Sequence, residues 1–134
     1  LRLPHPFGYN VPRLLLKKAT PSTKESNMAR AEIFSGICGF HTNVETSMNG
    51  RTCRVSIQSE CKAIQRLAQA LTEVSPFQEI SHRGGTPKIL QLGAQYCTHA
   101  ACPVPVGIIK AVEIEAGLAL PADVSIQLSK TGTS

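Results

Sequence analysis

The chain has 134 residues, enough for one domain with a core of its own. Aromatic residues make up 4% and Trp is absent, which argues against a base-stacking surface or an aromatic-lined sugar site. Of the net charge of +5, +4 sits in residues 1–27, where Arg2, Arg13, Lys17, Lys18 and Lys24 face Glu25 alone; the remaining chain, at +1, is close to neutral and has no basic patch of the nucleic-acid-binding kind.

Residues 1–27 hold Pro4, Pro6, Pro12 and Pro21 and keep no steady period of 2 or 3.6. They read as a flexible basic arm or a non-native extension, with Met28 as a candidate natural start where the ordered pattern begins. A docking role for the arm is the sharper alternative. Its apolar stretch Val11–Leu16 is interrupted by Pro12 and Arg13 and is shorter than the roughly 7–15 residues of a signal-peptide core. No apolar run approaches the ~18 residues of a membrane span. Five cysteines, an odd number, do not make a secreted disulfide framework. The expectation is a cytoplasmic, reducing location, with no membrane or nucleic-acid partner.

Residues 28–130 read as a single cysteine-containing α+β domain. Residues 31–60 suggest a hairpin around an Asn49-Gly50 type I′ turn. That turn would set Met48 opposite Arg51, Thr46 opposite Cys53, Val44 opposite Val55, Thr42 opposite Ile57 and Phe40 opposite Ser59. Alternation then sorts Phe40, Val44, Cys53, Val55 and Ile57 to one face. His41, Asn43, Glu45, Ser47, Thr52, Arg54, Ser56 and Gln58 go to the other. Extending the register sets Cys38 opposite Cys61 on the core face, with Gly36 and Gly39 as a possible bulge.

A helix follows from Ser59–Lys62 to about Val74, capped by Ser59, with Ile64, Leu67, Ala68 and Leu71 as its stripe. Phe77 and Ile80 suggest a short packed turn. Thr86-Pro87 starts a second helix ending near Cys97. Cys102-Pro103 starts a third, with Val104, Ile108, Ala111, Val112 and Glu115 along one side and Gly117 as its stop. Val124, Ile126 and Leu128 alternate with polar residues and suggest a last strand. The order is ββαααβ: a small antiparallel sheet, hairpin plus C-terminal strand, covered on one face by about three helices.

Four cysteines stand at element ends: Cys38 between glycines, Cys61 in a helix's first turn, and Cys97 and Cys102 at the corner between two helices. Such thiolates could hold a [4Fe–4S] or [2Fe–2S] cluster, or zinc. Cys53, in mid-strand on the apolar face, reads as structural. His99 reads as a partly exposed connector residue, with a role as a ligand replacing one cysteine or as a base beside a reactive thiol as the alternative; His41 and His82 read as solvated. There is no nucleophile elbow, phosphate loop or His-Glu zinc helix, so the residues point away from hydrolase and transferase chemistry. Glu113 and Glu115 read as a solvated edge.

The segments Ser35–Phe40, Ser59–Cys61, Cys97–Pro105 and Ile109–Pro121 resemble an uncharacterised family of small four-cysteine proteins, found mostly in anaerobic bacteria and archaea. The resemblance covers about residues 29–129. It implies that Cys38, Cys61, Cys97 and Cys102 belong together and that Cys53 stands apart, and the anaerobic setting favours iron–sulfur. The leading expectation is a small iron–sulfur protein, with [4Fe–4S] as the favoured cluster, acting in electron transfer or as an accessory or carrier for a larger redox or metalloenzyme protein. One alternative is a thiol–disulfide protein that pairs Cys38 with Cys61 and Cys97 with Cys102, Cys61 being the nucleophile. Another is an interaction module with structural zinc.

Overall fold

The computed structural model describes residues 2–4, 10–12 and 28–132. In the arm, β1 (Arg2–Pro4) pairs antiparallel with β2 (Asn10–Pro12). The rest of the arm lies outside the described residues.

The main sheet is antiparallel, in the order β3 (Ala29–Phe34), β4 (His41–Asn49), β5 (Thr52–Ser59) and β6 (Glu73–Val74). The helices are α1 (Lys62–Ala70), α2 (Pro76–Glu79), α3 (Lys88–Tyr96) and α4 (Val104–Glu115). The class is α+β. Strands come first and helices follow, apart from the two-residue β6 between α1 and α2.

The expected hairpin is two hairpins. β3 runs antiparallel to β4 through residues 35–40, where Gly36 and Gly39 take φ of +89° and +76°. Ser35 N–H donates to Phe40 O and Gly39 N–H to Gly36 O, which closes the loop. The glycines are therefore turn residues and not a bulge.

The β4–β5 register also differs from expectation. Asn49 pairs with Thr52, Met48 with Cys53, Thr46 with Val55, Val44 with Ile57 and Thr42 with Ser59. Gly50, at φ +66°, leads the turn with Arg51 second. Asn-Gly-Arg satisfies both an Asn-Gly centre and a Gly-X centre, and the chain takes the second. The pairing moves by two residues, so no side chain changes face. Val44, Cys53 and Val55 are buried, together with Thr42 and Thr46.

The inner face carries the core: Val44, Cys53 and Val55 from the sheet, Ile64, Leu67 and Leu71 from α1, Ile89 from α3, and Val104, Ile108, Ala111 and Val112 from α4. Each large apolar side chain removed from water contributes about 1.5–3 kcal/mol. Buried polar groups are matched. Thr46 Oγ1 shares its proton between Ala29 O (3.1 Å) and Ala111 O (3.3 Å), which ties β3, β4 and α4 together.

α1 ends at Ala70, short of the expected Val74, because the chain turns into β6 beside Cys53 and Arg54. The short turn expected at Phe77 and Ile80 is α2, but it packs the other way round. Pro76 and Glu79 are buried while Phe77 is 74% exposed. Glu79 goes inside because its carboxylate accepts the Lys88 and Ile89 N–H groups (3.2 and 2.8 Å) at the start of α3. α4 ends in a Schellman arrangement: Gly117, at φ +75°, donates to Ile114 O, and Leu118 N–H donates to Glu113 O. The expected strand over 124–128 does not form. Residues 119–130 have no regular structure and are exposed.

Candidate thiol site

β5 delivers Cys61 through its last residues. Ser59 Oγ accepts the Cys61 N–H (3.1 Å) and the Thr42 hydroxyl (2.8 Å), and donates to His41 O (3.3 Å). Gln65 Nε2 holds Ser59 O at 2.8 Å. Ser59 thus does not cap the helix directly; it fixes Cys61, which is itself the N-cap residue of α1 with extended backbone. That position puts Cys61 at the positive end of a helix, although its side chain makes no cap hydrogen bond.

The α3–α4 corner supplies the next two thiols. Cys97 is the C-cap of α3, its N–H donating to Gly93 O (2.8 Å). A turn follows in which Cys102 N–H donates to His99 O (3.1 Å). Close approach of the helices needs Gly93, since a Cβ there would lie 2.8 Å from Pro105 Cγ. The thiol of Cys97 hydrogen-bonds to Cys102, and its pKa is pushed up from 9.0 to about 11. Burial is the main cause, followed by the neighbouring charge of Cys102, that hydrogen bond, and the charge of Cys61. Cys97 therefore lies within electrostatic reach of both Cys102 and Cys61, across the α3–α4 corner and the α1 start.

Cys38 is placed differently from expectation. With the register moved by two, it does not face Cys61 and does not lie on the core face. It is exposed in the β3–β4 loop, beside Ile37, which is 96% exposed. The loop nevertheless lies at the same end of the sheet as the other three. It runs directly into His41, whose N–H reaches Glu60 Oε1 (3.3 Å), one residue before Cys61. At β3, Gly107 near the start of α4 packs against Ile33, leaving no room for a Cβ. The rings of Phe34 and His41, flanking the loop, meet at a tilt of 44° with centres 4.8 Å apart.

All five cysteines are free thiols. Cys53 is fully buried in the core, and its pKa is raised to about 11, by burial first and by Glu115 second. It lies apart from the site, as its mid-strand position implies. His99 is exposed, and so are His41 and His82. Glu115 is not a solvated edge residue. Its Oε1 accepts the Ala29 N–H (2.6 Å) and anchors the end of α4 to β3. Sequence reasoning missed this role, and that of Glu79, because both depend on contacts between distant segments.

The donor chemistry of the group suits a soft metal. The Cys97 thiol, held protonated by burial and by the neighbouring sulfurs, resists ionising, and a bound cation removes that opposition. The set is not closed: among the described residues, no three His, Cys, Asp or Glu side chains are arranged to hold a metal ion.

The fold and site define a small α+β protein with clustered free thiols at one end of its sheet. The chain belongs to a family of unknown function, DUF6951, whose profile matches residues 29–128. No curated protein and no solved structure matches it. Among the described residues no helix is long and apolar enough to cross a membrane.

Proposed function

We propose that this protein holds an iron–sulfur cluster, [4Fe–4S] being the favoured type, through Cys38, Cys61, Cys97 and Cys102. It would serve in the cytoplasm as an electron-transfer, carrier or accessory protein for a larger redox or metalloenzyme protein. The observation that carries this reading is the placement of Cys102 and Cys61 close enough to Cys97 to act on its thiol. Cys38, on a glycine-flanked loop at the same end, is the candidate fourth ligand, and loop movement is needed to bring it in. The cluster, when bound, supplies one-electron chemistry. The chain's own residues supply thiolates, a fixed corner and partial exclusion of water. Resemblance to four-cysteine proteins of anaerobes favours iron–sulfur over zinc.

Purification without oxygen, followed by metal and sulfide analysis and a visible spectrum, tests the reading. Iron and sulfide in cluster ratio, lost when Cys97 or Cys102 is replaced by Ser, are expected. Zinc alone would instead make the protein an interaction module with a structural site. Iron-free, zinc-free protein with titratable thiols would overturn both.

The hydrogen-bonded pair Cys97–Cys102 favours one further reading, reversible disulfide formation with a dithiol or disulfide partner taking up or giving the two electrons and two protons. The Cys38–Cys61 bridge of the original thiol–disulfide expectation loses its support with the change of register. Thiol counts on metal-free protein before and after reduction distinguish this reading from cluster binding.

A further inference from the structure

Beyond α4 the chain leaves the body and makes no regular pairing. Leu120, Val124, Ile126 and Leu128 are 87, 61, 76 and 88% exposed. The last three alternate with Ser125, Gln127 and Ser129, and Val and Ile favour extended backbone. A strand with one apolar and one polar face suits a sheet that is covered by helices on one side only. The family match runs to residue 128, so the segment belongs to the shared domain and is not an appendage to it.

A matching edge exists in the same molecule. β3 is the terminal strand of its sheet, and among the described residues nothing pairs with its outer side. Its own alternation is Ala31 and Ile33 half-buried against Arg30, Glu32 and Phe34 exposed. An edge that no described strand pairs is a template for a further strand. Within one chain the fit is poor. The segment departs from the end of α4, which Glu115 ties to Ala29, the first residue of β3. Unless it first crossed the length of the sheet, it would run parallel to β3, the weaker pairing. A segment arriving from another molecule has no such constraint and can enter antiparallel.

We propose that a second copy of this chain is the occupant: Val124–Leu128 of each protomer adds as an edge strand to β3 of the other. Each copy brings one donor segment and one acceptor edge, so a two-fold exchange satisfies both and closes without further growth. Segment 118–129 and the six residues of β3 from each copy come close to the roughly 20 residues a side of a stable interface. The exchange places the apolar side chains of the segment beside Ala31 and Ile33 and keeps its serines on the polar face.

Sedimentation of the full chain across a dilution series, with hydrogen exchange of the β3 amides, tests the proposal. The double variant Val124→Asp/Ile126→Asp is the comparison, since both side chains are exposed in the single chain and their change leaves its fold intact. A dimer in which the β3 amides not bonded to β4 are protected is expected, turning into a monomer in which those amides exchange freely in the variant. A full chain that is a monomer with those amides protected would mean pairing within one chain and would overturn the proposal. So would a full chain that is a monomer with them unprotected, or a dimer unaffected by the two substitutions.

Discussion

At the scale of the residue, the chemistry turns on which thiols can ionise. The Cys97 thiol is pushed up to about 11, so at neutral pH it is protonated and a poor nucleophile in metal-free protein. Burial is the larger cause and Cys102 the next. In Cys102→Ala, both the neighbouring charge and the hydrogen bond to Cys97 disappear while burial remains. The midpoint of Cys97 alkylation against pH, read by mass spectrometry of the modified peptide, should therefore move down from about 11 and stay above 9.0. An unchanged midpoint would mean that the two sulfurs do not sense each other, and the site would lose its central pair. Cys53 is an internal control. Its pKa is also about 11, but Cys102 is not among the causes, so its profile should not move.

At the scale of the element, the corner that carries Cys97 depends on α3 starting where it does. Glu79 closes the helix's first N–H groups from inside the fold and is 3% exposed. Removing its carboxylate leaves those donors unpaired in a largely buried place, which costs about 1–3 kcal/mol. Glu79→Ala should lower the unfolding free energy by that amount, read as a lower urea midpoint with the slope unchanged. Loss of less than ~0.5 kcal/mol would show that water replaces the carboxylate. Glu79 also shows where the sequence stops being legible. The stripe Ile64, Leu67 and Leu71, the start of α4 after Cys102-Pro103 and its stop at Gly117 follow from spacing and local backbone preference. A carboxylate capping a helix ten residues onward does not. The hairpin gave an intermediate case. Alternation sorted its faces, but two turn centres competed at Asn49-Gly50-Arg51, and a second turn at Gly36 and Gly39 went unread. Cys38 was consequently assigned to the core face and lies in a loop.

At the scale of the whole molecule, the two ends of the sheet differ in kind. One end carries the β3–β4 loop, the start of α1, the α3–α4 corner and the start of α4, and with them four cysteines. The other carries the Asn49–Thr52 turn, the end of α4 and the Glu115–Ala29 bond. Grouping the cysteines was legible from their places at element ends, but their mutual placement depended on how α4 lies along β3, which no local pattern states. If the thiol end is a metal site, loading it should stiffen that end alone. With zinc added to reduced, metal-free protein as the probe, hydrogen exchange should slow at residues 35–40, 61–65 and 97–104. It should stay the same at 49–52 and 115–118, because those residues are joined to the site only through a core that is already packed. The loop makes the measurement decisive for Cys38. It is exposed before loading, so recruitment as a ligand must order residues 35–40, and protection there rises with the fraction of metal bound. Slowing confined to 61–65 and 97–104 would remove Cys38 from the ligand set and leave three thiolates, a site with an open position. Uniform slowing over both ends would indicate general stabilisation and no localised site.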